Sequence, residues 1–398
     1  MKSPILFCLS IFLSFYHLNA QDTISLSDYS FEVTALTDEK FISFNQKQLD
    51  NSQFIMIGEQ HGIKEVGELT NAIYDISQPF GYKTLCIETD AIAAEKIEKM
   101  AASGNPIEQA KSIHKDFPFS IPFYNNEDDY TLFTNVTSKK GAIWGIDQTF
   151  MVQFRLNFDY IINTTSNTLL KNKLIVLKQE ADLSYTQAIE KKDFTAPYIF
   201  KYNESLHREL LTLTTDPKEL EILNQLWKTK EIYTYNHTKE YYKNNNTRGQ
   251  LMKRNFMRYY NEANKAEAIP KVIFKLGANH AAKGLTRTNI YDISNMVSEI
   301  AATNNKNSVH YLVMGITGKA ATGNPFIPHP VIPFDNTKKF PDEIKEVLPT
   351  ITQKYYVLDL VSLRKHGYGK KFSQDFKNVI FGYDVLVLVS NCEPFKGF

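Results

Sequence analysis

Cysteine is scarce in this chain: there are three among 398 residues, and Cys8 lies in an N-terminal apolar run. The other two, Cys86 and Cys392, are too few for a disulfide scaffold and lack the spacing of a zinc site, although one bridge between them stays open. Each sits in an apolar strand-like run, where a free thiol is commonly buried. Net charge is lacking too. Lys and Arg number 45 against 44 Asp and Glu, and without Lys2 the two counts are equal. Such a chain carries no electrostatic footprint for nucleic acid or an anionic membrane surface. After residue 20 no run is long and apolar enough for a membrane span, which takes about 20 residues. There is no G-x-S-x-G elbow and no H-E-x-x-H helix. Gly318-Lys319 is no phosphate loop, because Gly315 stands too close before it and Ala320 occupies the Ser/Thr position.

What is present begins with Lys2, an apolar stretch over residues 5–16 and Ala20 before Gln21. This predicts a secretory signal peptide over residues 1–20 and an exported protein, periplasmic or secreted, over 21–398. Residues 21–50 read as a polar lead-in with a short helix at 39–49. FIMI at 54–57 is a strand that stops at Gly58, and the turn after it carries Glu59 and His61. Over residues 64–77, Val66, Leu69, Ile73 and Ile76 follow the spacing of a helix with one buried stripe. TLCI at 84–87 is a second strand, closed by Glu88. Strand, helix and strand in so short a compass form a βαβ unit, whose crossover makes the strands parallel.

A third run, GAIWGI at 141–146, ends in Asp147, and a fourth, KVIFKLG at 271–277, is followed by His280. Before the third, residues 104–129 are broken by Pro106, Pro118 and Pro122. Between about 150 and 247 the apolar spacing turns helical, with helices expected at 154–177, 180–192, 199–213 and 218–242. This reads as a helical insertion packed over the sheet. Its Tyr233, Tyr235, Tyr241 and Tyr242 either line a pocket or are half buried on amphipathic helices. A polar break at 244–246 precedes a helix over 248–263, on which Arg248, Met252, Asn255 and Tyr259 share one face. Further strands are expected at 311–316, 355–360 and 385–389. The segment holding Pro325, Pro328, Pro330 and Pro333 leaves a strand end and reads as part of a site rim.

In an open parallel sheet, ligands bind beyond the carboxyl ends of the strands. The fold itself therefore gathers Glu59, His61, Glu88, Asp147 and His280. A lone histidine after a strand is more often structural than catalytic. Two of them, each close behind a glycine at a strand end and near acids at parallel strand ends, reverse that preference. Imidazole exchanges protons near neutral pH, and a neighbouring carboxylate fixes its tautomer. No Ser, Thr or Cys nucleophile is tied to either histidine, so the attacking group is an activated water. No cofactor is expected; the alternative is a divalent metal held by His61, Glu59, Glu88 and His280. Arg248, on a face fit for burial, calls for a partner, since unpaired charge is costly to bury.

Six segments in order, GEQHGIKE at 58–65, the strand ending in Glu88, GIDQ at 145–148, RGQLMKRN at 248–255, GANHAAKG at 277–284 and YDVLVLV at 383–389, resemble the landmarks of the erythromycin esterase family. That family shares a wider superfamily with ChaN-type haem-binding lipoproteins and TIKI-type metalloproteases. The resemblance covers nearly all the chain after residue 20. It implies a three-layer α/β core, its mostly parallel sheet flanked by helices, with a helical insertion. It also implies a cleft in which His61 is the general base, Glu59 and Glu88 orient it or bind water, and His280 is the second imidazole. Arg248, Asn255, Asp147 and Glu65 would contact the substrate, a small-molecule ester or lactone, with Arg248 suited to a developing oxyanion. The superfamily implies two other readings, a metal-dependent hydrolase or protease and a haem or ligand binder. The sequence departs from the esterases in two places. Only Gln60 separates Glu59 from His61, where two residues are usual, and Gly249 stands where Asp usually follows the Arg.

Overall fold

The computed structural model describes residues 24–322, 331–369 and 371–398. The predicted leader and Pro325, Pro328 and Pro330 of the predicted rim lie outside the described residues. Among those described, ten strands occur: β1 (Ser30–Val33), β2 (Ser52–Glu59), β3 (Thr84–Ile87), β4 (Ile143–Gly145), β5 (Val272–Gly277), β6 (Asn307–Gly315), β7 (Thr317–Ala321), β8 (Val331–Asp335), β9 (Tyr355–Asp359) and β10 (Val385–Val389). Eight of them form one sheet in the order β1-β9-β10-β6-β2-β5-β3-β4, and β7 and β8 make a separate antiparallel hairpin. Every pairing from β10 to β4 is parallel, and only the pairings of β9 with β10 and with β1 are antiparallel. The fold is thus α/β with a mostly parallel central sheet.

Strand β2 is buried along its whole length. That burial on both faces is why it reads as a continuous apolar run rather than an alternation. Its odd positions, Ile55 and Ile57, pack with Val66, Leu69 and Ile73 of the helix Lys64–Ser77. Its even positions, Phe54 and Met56, face Met252 and Phe256 of the helix Tyr241–Ala263 and Val297 of the helix Ile293–Thr303. Helices therefore cover both faces. Each fully buried Val, Leu or Ile contributes about 1.5–3 kcal/mol, so these two stripes fix the register of β2 between the layers. Among the described residues no helix is long and apolar enough to cross a membrane.

The expected βαβ unit forms, but β5 lies between its two strands. Strand β1 and the β7–β8 hairpin fall where the sequence read as lead-in and loop. The expected 154–177 helix divides into Phe154–Thr164 and Thr168–Lys191, with the Asn167 side chain capping the second. The break expected at 244–246 comes earlier, at Lys239, whose φ of 62° ends the helix Pro217–His237; Asn244–Asn246 lie inside Tyr241–Ala263. Pro106 starts a helix, Pro106–Asp116, because a proline at its first position leaves no bond unmade. The insertion has its own core, in which Phe158, Leu170, Leu174, Leu223 and Leu226 are fully buried. Cys86 and Cys392 are both free and buried, so the bridge between them is not formed.

Candidate active site

Sheet register explains how the side chains meet. In the β2–β5 pair Ile57 lies opposite Lys275 and Glu59 opposite Gly277. The two-residue period puts Glu59 and Lys275 on the same face, so the ammonium lies 2.7 Å from Glu59 Oε2. Asp129, from the helix Glu127–Ser138, approaches the same ammonium at 3.2 Å. The sequence reading passed over this lysine. Its signal is a charge at an inward position of an otherwise apolar strand, which demands a buried acid.

Only Gln60 separates Glu59 from His61, and its side chain turns away to accept from Asn336 at 2.9 Å. His61 thereby returns to the side of Glu59, with Nδ1 2.7 Å from Glu59 Oε1. Burial raises the Glu59 pKa, but Lys275 and then His61 outweigh it and hold the group down at about 2. The carboxylate can only accept, so in the neutral ring Nδ1 carries the proton and Nε2 keeps its lone pair. That Nε2 lies 3.9 Å from Glu88 Oε2. Burial lowers the His61 pKa, yet the Glu59 hydrogen bond and the charges of Glu88 and Glu59 leave it raised above 6.5. The His61 side chain is 35% exposed, open enough to meet a substrate.

His280 repeats the arrangement from β5. Its Nδ1 is 2.7 Å from Asp292 Oδ2 and its Nε2 3.6 Å from Glu88 Oε1. Burial works against protonation, but Glu88 and Asp292 raise this pKa too. Asp292, also missed from sequence, caps the helix Ile293–Thr303. Gly249 makes room for it, since a Cβ there would come within 3.1 Å of Asp292 Oδ1.

Glu88 is the centre. Its Oε1 accepts from Arg248 Nη2 at 2.7 Å and its Oε2 from the Gly277 N–H at 2.5 Å. Burial opposes ionisation, but His280, Arg248 and His61 hold its pKa at about 2. A Cβ at Gly277 would stand 2.9 Å from His61 Nε2 and 3.2 Å from Glu88 Oε2, so the glycine leaves both groups room to hold these positions. Arg248 also grips Asp147, at 2.9 Å to Oδ1 and 2.5 Å to Oδ2. The partner expected for Arg248 is thus a pair of acids, and the guanidinium is committed to locking two strand ends together.

The structure brings Glu59, His61, Glu88, Asp147, Arg248 and His280 into one cluster. Two residues expected to contact substrate stand elsewhere. Asn255 is buried, donating to Ile146 O at 2.9 Å and accepting from Gln225 at 2.8 Å, so it braces the backbone before Asp147. Glu65 is buried and bound by Lys354 at 2.6 Å and by the Glu393 N–H at 3.0 Å, which ties the C-terminal segment to a helix start.

The four residues considered for a metal do not fit one. Glu59 and Glu88 already have their charge answered by Lys275 and Arg248. Among the described residues no group of three or more His, Cys, Asp or Glu is arranged to hold a metal ion.

No protein-family model and no curated protein matches this chain. Solved structures do. The chain is similar to a Bacillus cereus protein (13% identity, TM-score 0.56, covering 94% of this chain and 97% of the other). It is similar to a succinoglycan biosynthesis protein (15%, 0.57, 94% and 97%). It is also similar to the erythromycin esterase EreC, solved as a His-to-Asn mutant in its open conformation (12%, 0.57, 90% and 95%). At such identities the likeness is one of fold, and it extends over nearly the whole chain.

Proposed function

We propose that this chain is an exported hydrolase that opens a small-molecule ester or lactone with water activated by His61. The observation that carries the reading is the paired geometry: each histidine gives Nδ1 to its own carboxylate and turns Nε2 toward Glu88, at 3.9 and 3.6 Å. Those gaps exceed a direct hydrogen bond, so neither Nε2 is committed to Glu88 and each can turn to a water or substrate oxygen beside it. The likeness of fold to an erythromycin esterase supports the reaction class. The leader-like N-terminus supports export.

In the first step neutral His61 takes a proton from water at Nε2 as the water oxygen bonds to the carbonyl carbon, and the carbonyl electron pair moves onto its oxygen. Protonated His280 offers Nε2–H to that oxygen, worth about 10²–10³-fold for one such donor. When the tetrahedral centre collapses, the carbon–oxygen ester bond breaks and the His61 proton passes to the leaving alkoxide. Glu59 and Asp292 stabilise the imidazolium forms and fix which ring nitrogen carries the proton in the neutral forms. Because one histidine must be neutral and the other protonated, kcat/KM is bell-shaped in pH, with both limbs belonging to the pair.

The test is a panel of esters, lactones and peptides, assayed with and without a chelator, on the intact protein and on His61→Ala. Turnover of an ester or lactone, insensitive to chelator and reduced at least about 10³-fold in the variant, is the expected result. Full residual activity in His61→Ala removes His61 from the mechanism.

A further inference from the structure

Phe123 stands out from the rest of the site by its backbone. Its φ is +66°, in the left-handed region that bulky side chains avoid, and it is no glycine substitute in a solvent-exposed turn. Its ring lies face to face with the imidazole of His61, with centroids 4.1 Å apart and planes 13° from parallel. The unfavourable conformation is held from several directions. Asn126 Nδ2 donates to Phe123 O at 2.9 Å while the Asn126 side chain caps the next helix. The C-terminal segment grips the same stretch, with Glu127 N donating to Lys396 O at 2.9 Å and Phe398 N to Asn125 O at 3.1 Å. Strain of this kind persists where the surroundings over-determine it, and it gathers at functional sites.

We infer that Phe123 is a positioning residue for His61, set by its left-handed backbone so that the phenyl face fixes the plane of the imidazole and favours its protonated form. This rests on the reading of His61 as the base. The Glu59 bond alone leaves His61 a pivot about Nδ1, because one hydrogen bond at a ring edge does not set the ring plane. The stacked phenyl sets it and so aims Nε2 at the space before Glu88. As His61 accepts a proton in the reaction, the ring becomes a cation against an aromatic face, an attraction absent from the neutral ring. The contribution is therefore larger in the transition state than in the ground state, and it appears in kcat rather than KM.

The experiment compares Phe123→Tyr, Phe123→Leu and Phe123→Gly in the full chain, by steady-state kinetics on a substrate from the panel and by proton NMR of the His61 ring. The Leu and Gly variants are expected to lose about tenfold or more in kcat with KM within about threefold, and Tyr to restore kcat to within about threefold. Gly relaxes the left-handed backbone and so has a thermal midpoint at or above that of Leu, which keeps one ringless variant folded. The His61 ring protons are expected upfield in the intact protein and in Phe123→Tyr, and to lose that displacement in Leu and Gly. Wild-type kcat in the Leu variant, an equal loss in Tyr and Leu, or unchanged ring-proton shifts would each overturn the inference. If the intact protein turns over nothing on the panel, the hydrolase reading fails. The NMR comparison still decides the stacking: displacement lost without the phenyl sustains it, and displacement unchanged refutes it.

Discussion

At the strand ends Arg248 bridges Glu88 and Asp147, and two histidines face the bridge. Beside the first half of β6, Lys283 and Arg364 converge on Asp384, each at 2.7 Å, and the Asp384 carboxylate also accepts the N–H of His310 at 2.7 Å. Both clusters join buried carboxylates to basic side chains and hold histidine close by. They differ in what the imidazoles have left to do. His310 spends both nitrogens, Nδ1 on Ala281 O at 2.7 Å and Nε2 on Ser308 Oγ at 2.8 Å. Burial, reinforced by Lys283, pushes its pKa down to about 3, so it stays neutral. His61 and His280 each spend one nitrogen on a carboxylate, keep the other, and have raised pKa values. Buried charge alone marks structure, whereas an uncommitted ring nitrogen beside it marks chemistry.

The contrast breaks most visibly at the carboxylates that orient the two catalytic candidates. Glu59→Gln can present its amide N–H₂ to His61 Nδ1, forcing the other tautomer and removing the lone pair at Nε2. Asp292→Asn, still a good helix cap, leaves His280 an Nε2–H and removes only the carboxylate that stabilises its imidazolium. Glu59→Gln is expected to lower kcat/KM by about 10³-fold, equivalent to about 4 kcal/mol, and Asp292→Asn by less, with the fold intact by circular dichroism. A loss below about tenfold in Glu59→Gln would mean that tautomer control is not what Glu59 supplies. The second cluster should answer in stability instead. Asp384→Asn leaves Lys283 and Arg364 without their shared counter-charge and is expected to lose about 3 kcal/mol in denaturant unfolding, with kcat/KM within about threefold. Lost turnover at unchanged stability would place Asp384 with the site.

Much of the site was legible because its signals are local. Glu59, His61, Glu88, Asp147 and His280 each follow an apolar run directly, and the parallel sheet then gathers them without further instruction. Arg248 was legible as a charge needing a partner, and its partner proved to be two of those acids. Lys275, Asp129 and Phe123 were not legible as site residues. The Lys275–Asp129 pairing joins residues far apart in sequence, and it exists only because β5 inserts between β2 and β3, an order no local pattern encodes. Asn255 and Glu65 differ in another way: each has the chemistry of a ligand contact, and the structure engages each with protein partners, a matter of tertiary pairing. The short β1 and the antiparallel direction of β9, itself expected as a strand at 355–360, escaped for a related reason, since strand direction at a sheet edge depends on connections rather than on composition.

The smallest expected effect isolates His310 itself. Its folded pKa lies near 3 against an ordinary 6.5, so between those values the unfolded chain binds a proton that the folded chain does not. Stability therefore rises with pH across this window: the contribution is fully present above 6.5 and is lost as pH falls, by up to about 1.4 kcal/mol per pH unit. Asp384 is depressed by Lys283 and Arg364 against its burial, so it too loses stability on acidification, but at lower pH, as its carboxylate protonates. Glu59 and Glu88 behave likewise below about 4.5. The window from 6.5 to 5 is thus the one in which His310 is separated from these carboxylates. His310→Gln keeps a side-chain donor for Ala281 O but cannot titrate, so its unfolding free energy should fall less steeply than that of the intact protein over this window. The bell of kcat/KM, set by His61 and His280, should not move with it. Equal slopes in both proteins would mean that His310 protonates in the folded state much as it does unfolded, and the division between a histidine spent on structure and one kept for chemistry would lose its physical basis.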